Sequence, residues 1–172
     1  MKKQNVYQIV LGALIAALYA ALTYAASVAG LAYGQVQFRF SEALTVLAAL
    51  TPAAIPGLTV GCFLGNLGSP YGMVDIVCGT MATLIAAVLS YRTRNVKLKG
   101  IPVLAPLFPI ISNAVIVGLE IAVFLPEGIS LYGFLINALW VGLGELVVCY
   151  GAGIPLLIAI EKTGLKKYLS FK

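Results

Sequence analysis

The chain has 172 residues, 61% of them hydrophobic and only 10% charged, where a soluble domain carries roughly 25% charged residues. With no histidine, no GxxxxGK[ST] phosphate loop, no HExxH and no Cys/His cluster, the chain lacks the parts for phosphate-loop ATP hydrolysis, HExxH or Cys/His zinc chemistry and Ser-His-Asp catalysis. The net charge of +5 is gathered between apolar runs, which sets nucleic acid aside and marks an integral membrane protein.

Residues 7–28 predict the first membrane helix, too long and too rich in Ala and Tyr for a cleaved leader. Ala13, Ala17 and Ala21 form one stripe along it, with Ala16 and Ala20 beside them. Small residues four apart let a second helix come close, either inside the bundle or on a partner protein. Residues 30–40 then form an outer loop bearing glycine and aromatic residues, with Phe38 and Arg39 as candidate gating residues. Arg39 precedes Glu42 by three positions, so an ion pair at the membrane surface is available.

Residues 39–68 must cross twice or dip and return, turning at "TPAAIPG", where two prolines and a glycine break the helix. Each arm is shorter than the roughly 20 residues of a straight span, which predicts short or partly unwound helices. Asn66 ends the second arm. The next helix covers residues 72–91, with Ser69 as cap, Pro70 at its first position and Asp75 slightly deeper. "RTRNVKLK" follows at 92–99. A helix over residues 101–125 carries Asn113 and Glu120, seven apart and therefore on one face. After the outer turn "LPEGIS", which holds Glu127, a last helix over residues 131–160 carries Asn137, Trp140 and Glu145.

Lys2 and Lys3, the 92–99 cluster, and Lys162, Lys166, Lys167 and Lys172 all fit the cytoplasmic side. The expected architecture is an all-α bundle of six transmembrane helices, the second and third short, with both termini cytoplasmic. It forms one membrane domain over residues 1–172. Cys62, Cys78 and Cys149 lie in apolar runs without metal-ligand spacing and read as small buried hydrophobes.

Intramembrane acids are costly and are functional candidates by default. Glu42 sits in a first turn and Asp75 slightly deeper in its helix, and for both the helix dipole gives a structural explanation that stands beside a ligand role. Glu120, near a helix C-terminus, and Glu145, mid-helix, have no such explanation. Glu42, Asn66, Asp75, Asn113, Glu120, Asn137, Trp140 and Glu145 together predict a pocket, open to the outside, for a small planar molecule rich in donors. Trp140 serves there either as a stacking platform or as a packing wedge. No catalytic residue, cofactor or metal is expected.

The stretches "VQFRFSEALTVLAALTPAAIPGLTVGCFLGNL" and "GMVDIVCGTMATLIAA", with the alanine stripe, resemble the substrate-binding (S) components of energy-coupling factor (ECF) transporters. The resemblance is closest to the QueT family of queuosine-precursor transporters. It covers nearly the whole chain. It implies an S-component-like bundle in the prokaryotic cytoplasmic membrane and a substrate such as 7-aminomethyl-7-deazaguanine. It also implies as partners a coupling transmembrane protein and two cytoplasmic ATPases. The alternatives are an S component for another cationic heterocycle, a stand-alone proton-coupled carrier with Glu145 as its proton site, and, more weakly supported, an integral membrane enzyme.

Overall fold

Helix α1 (Lys3–Val28) opens the chain in the computed structural model, which describes residues 3–34, 36–126 and 128–169. Lys2, Glu127 and Lys172, assigned above to two basic clusters and an outer loop, lie outside the described residues. A 3-10 helix (Phe40–Ala49) follows, then α2 (Ala54–Asn66), α3 (Met73–Arg92), α4 (Leu107–Val123) and α5 (Leu131–Val148). A π-helical turn (Cys149–Gly153) joins α5 to α6 (Ile154–Thr163), and α7 (Lys166–Leu169) is a final short turn. No strand occurs among the described residues. Three helical stretches are long and apolar enough to cross a membrane: Gln4–Val28, Met73–Arg92 and Leu131–Thr163. Three more are apolar but shorter: Phe40–Ala49, Ala54–Asn66 and Leu107–Val123.

Helices α1 and α7 meet, because the Tyr7 hydroxyl donates to the Tyr168 carbonyl. From that terminal end α1 and α2 run side by side in the same direction. Gly57, Gly61 and Gly65 recur every four residues on α2 and admit the α1 backbone. A Cβ on Gly57 would lie 2.6 Å from the Gly12 carbonyl oxygen, and one on Gly61 would lie 2.9 Å from that of Ala16. The alanine stripe is therefore divided. Ala16 is buried against α2 and Ala20 is half-buried, whereas Ala13, Ala17 and Ala21 face outward. Helices α4 and α5 form an antiparallel pair, with Gly118 against the Ala138 backbone and Gly142 against Ala114.

The buried core has two parts. Ile15, Tyr19, Leu44, Leu47, Leu58 and Cys62 unite α1, the 3-10 helix and α2. Val117, Ile121 and Val141 unite α4 with α5. The 3-10 helix is buried from Ser41 to Ala49, and its three-residue period gives it three sides. Leu44 and Leu47 meet the core, Ala43 and Val46 meet Gly153, and Glu42 and Thr45 take the third side.

Several boundaries differ from the sequence expectation, each for a local reason. Pro56 lies inside the first turn of α2, where its missing N–H breaks no bond. Helix α3 starts after Gly72, which has φ 62°, because the Ser69 hydroxyl instead accepts from the Tyr71 amide. That puts Asp75 in the first turn. Residues 101–106 are not helical, since Pro102 and Pro106 restrict the residues before them, and α4 begins only at Leu107. The last helix extends beyond residue 160 to Thr163 and contains the π-helical turn. Pro155 cannot donate to the Gly151 carbonyl, and the ladder widens just before it. Gly164, at φ 70°, ends α6.

Candidate functional site

At the end opposite the termini, the loop after α1 folds back on itself, with the Phe38 amide donating to the Leu31 carbonyl at 2.9 Å. It delivers Gln37 into the bundle. Gln37 is buried, its side-chain amide donates to the Gly34 carbonyl at 3.0 Å, and its backbone lies against Gly144 of α5. Phe38 is half-buried beside it.

Arg39 is the second residue this loop carries inward, only 3% exposed. The surface ion pair with Glu42 expected from their spacing does not form. Arg39 has an extended backbone ahead of the 3-10 helix, so its guanidinium reaches across the bundle rather than along its own helix. Its Nε donates to the Ala32 carbonyl at 2.8 Å and its Nη1 to Asn66 Oδ1 at 3.2 Å. Its Nη2 pairs with Asp75 Oδ2 at 3.3 Å, and the Tyr33 ring lies 5.2 Å away. Asn66 completes the knot by donating to the Asp75 carbonyl at 2.9 Å. Arg39, Asn66 and Asp75 are thus brought together as a mutually satisfied set.

Glu42 points to the opposite side, where it accepts from the Tyr19 hydroxyl of α1. Glu145 accepts from Asn113 Nδ2 of α4 at 3.0 Å and from the Cys149 thiol at 3.3 Å. The same thiol lies 3.8 Å from the Glu42 carbonyl, which links the two glutamates' surroundings. Cys149 therefore serves as a polar bridge as well as a small buried residue.

Glu120 differs from the other buried acids. It is 3% exposed, and both its carboxylate oxygens are without a hydrogen-bond partner. Glu42 Oε2 and Asn137 Oδ1 are also buried and unpartnered, although Asn137 Nδ2 donates to the Gly133 carbonyl at 2.8 Å. Tyr71, in the α2–α3 loop, packs on Phe124 at a centroid distance of 5.3 Å. Burial raises the Tyr71 hydroxyl above its ordinary pKa, and the negative charges of Glu120 and Asp75 raise it further. Trp140 stands apart: it is 43% exposed on the surface of α5, on the flank of the face that carries Asn137, Val141, Gly144 and Glu145.

Sequence reasoning missed Tyr19, Tyr33, Gln37 and the Gly57/Gly61/Gly65 row. Only the last left a readable sign, its four-residue spacing. No cluster of metal ligands occurs among the described residues. What the arrangement offers chemically is a set of buried acceptors in want of donors.

At the terminal end, a groove of about 490 Å³ opens between α1 and α2. Ile9, Gly12, Ala13, Pro52, Pro56 and Val60 are among the residues lining it.

Comparison with known proteins gives a consistent result. A family model described as "QueT transporter" matches residues 9–162. A queuosine precursor transporter QueT from Lactococcus lactis subsp. cremoris (strain MG1363) is 39% identical over 85 residues. That alignment spans 49% of this chain and 50% of the relative, so the matched segment is about half the length of either. No solved structure matches the chain.

Proposed function

The chain belongs to the QueT transporter family, and from that premise we infer that it is the membrane-embedded substrate-binding subunit of an ECF-type importer for a queuosine precursor. The substrate is 7-aminomethyl-7-deazaguanine or a close relative, captured from outside. Both termini and the 92–99 loop lie on the cytoplasmic side, in keeping with the basic residues gathered there.

One observation carries this reading: Glu42, Glu120 and Asn137 each keep a buried acceptor without a donor. Leaving such groups unpaired is costly, about 1–3 kcal/mol each and more for charges. A deazaguanine brings adjacent N–H donors on its pyrimidine edge, which carboxylates accept in pairs, and an ammonium group besides. Glu42, Glu145 and Asn113 suit the base edge. Arg39, Asn66 and Asp75 hold the loop that covers it, with Phe38 and Gln37 as the lid's inner surface.

The groove between α1 and α2, with the outward alanines 13, 17 and 21, is the surface for the coupling transmembrane protein. Two cytoplasmic ATPases drive the cycle through that protein. The chain itself catalyses no chemistry. Titration calorimetry of the purified chain with 7-aminomethyl-7-deazaguanine tests the binding claim, with saturable one-to-one binding expected and no heat of binding counting against it. Uptake by this chain in cells lacking the ATPases would favour a stand-alone carrier instead.

A further inference from the structure

The geometry points to Glu120, with Asn137, as the subsite that receives the positively charged group of the ligand and so selects an aminomethyl substituent over an uncharged one. This rests on the reading that the chain binds a queuosine precursor. Among the four acids buried in the helices, three already have at least one side-chain partner. Asp75 faces Arg39, Glu145 accepts from Asn113 and Cys149, and Glu42 accepts from Tyr19. Glu120 alone of the four has both oxygens free of any hydrogen bond.

The neighbouring helix adds a third acceptor. A Cβ on Gly118 would lie 2.7 Å from the Ala138 Cα, which sets Glu120 and Asn137 at nearly the same height along the antiparallel α4–α5 pair. Asn137 turns its amide nitrogen to the Gly133 carbonyl and leaves Oδ1 unpaired. Each of these three oxygens is a buried acceptor without a partner. A primary ammonium is the complement: three donors, no acceptor and a positive charge. One helical turn beyond Glu120, Phe124 packs with Tyr71, and aromatic faces of this kind stabilise a cation. A nitrile, which only accepts, would meet these three acceptors unfavourably.

The test is calorimetry of 7-aminomethyl- and 7-cyano-7-deazaguanine on the wild type and on Glu120→Gln. The wild type should prefer the aminomethyl compound by at least about tenfold, the scale of one charge-assisted hydrogen bond. Glu120→Gln should lose that preference while binding the cyano compound at least as tightly as the wild type does, which also shows that the variant is folded. Equal weakening towards both ligands, or an unchanged preference, overturns the assignment. If the wild type binds neither compound, the functional reading falls with it. Should Glu120→Gln elute as an aggregate on gel filtration, Asn137→Ala takes its place. It should lower affinity for the aminomethyl compound alone, and an unaltered ratio in that variant overturns the assignment equally.

Discussion

A Cβ placed on Gly144 would stand 2.2 Å from the carbonyl oxygen of Gln37. The loop after α1 is therefore seated on a position of α5 that only glycine can occupy, one residue from Glu145. Gly144→Ala should push this loop outward, at a stability cost of about 1–3 kcal/mol, as for other overpacked sites. If the loop is the lid, bound precursor should escape faster while its association rate stays close to wild type. Stopped-flow dissociation measures this directly, and an unchanged off-rate would separate the loop from gating.

Arg39 gives the second prediction. Breaking a buried ion pair from one side leaves a charge without a partner and costs about 3–5 kcal/mol. Arg39→Gln should accordingly unfold far more readily in detergent than the wild type. Adding Asp75→Asn should recover a substantial part of the loss, since the stranded carboxylate is then removed. A double variant no better than the single one would show that Arg39 acts through the Ala32 carbonyl and Asn66 instead.

Glu145→Gln keeps shape and an acceptor but removes the charge. Asn113 Nδ2 can still donate to it, so the fold should persist with a change in thermal midpoint of a few degrees at most. Precursor affinity should fall by roughly 1.5–3 kcal/mol, the worth of a hydrogen bond to a charged group. Wild-type affinity in this variant would remove Glu145 from the binding set.

The fourth prediction separates the two halves of the alanine stripe. Ala13→Leu with Ala17→Leu alters the outward side only. It should abolish uptake in cells that contain the coupling protein while the isolated chain still binds precursor. Ala16→Leu should instead force α1 away from Gly61 and lose binding and uptake together. Normal uptake in the Ala13/Ala17 variant would place the coupling surface elsewhere.

Much of the architecture was legible because apolar length and basic clusters act locally. Val28, Arg92 and Leu131 each mark a helix limit near where hydropathy puts it. The partner of Arg39 was not legible. Its spacing from Glu42 pointed along the chain, while the real partner, Asp75, lies 36 positions away and is reached only after α2 and α3 have packed. Trp140 illustrates a second limit. At 100° per residue, a side chain next to Val141 lies on the edge of the buried face, and packing alone decides on which side of that edge it falls. The acids at 42, 75, 120 and 145 stand out in the sequence because burying a carboxylate is expensive wherever it happens. Which of them lacked a partner was a tertiary fact.

The 3-10 helix has a consequence for reach. Ten residues wound this way extend about 20 Å, whereas the same ten as an α-helix would extend about 15 Å. Its lower end runs into Pro52 and Ala53 at the groove, and its upper end carries Glu42 to Tyr19. Rewound as an α-helix, Phe40–Ala49 would fall about 5 Å short of joining those two places. The tighter winding lets a segment half the length of an ordinary span connect the surroundings of Tyr19 to the groove.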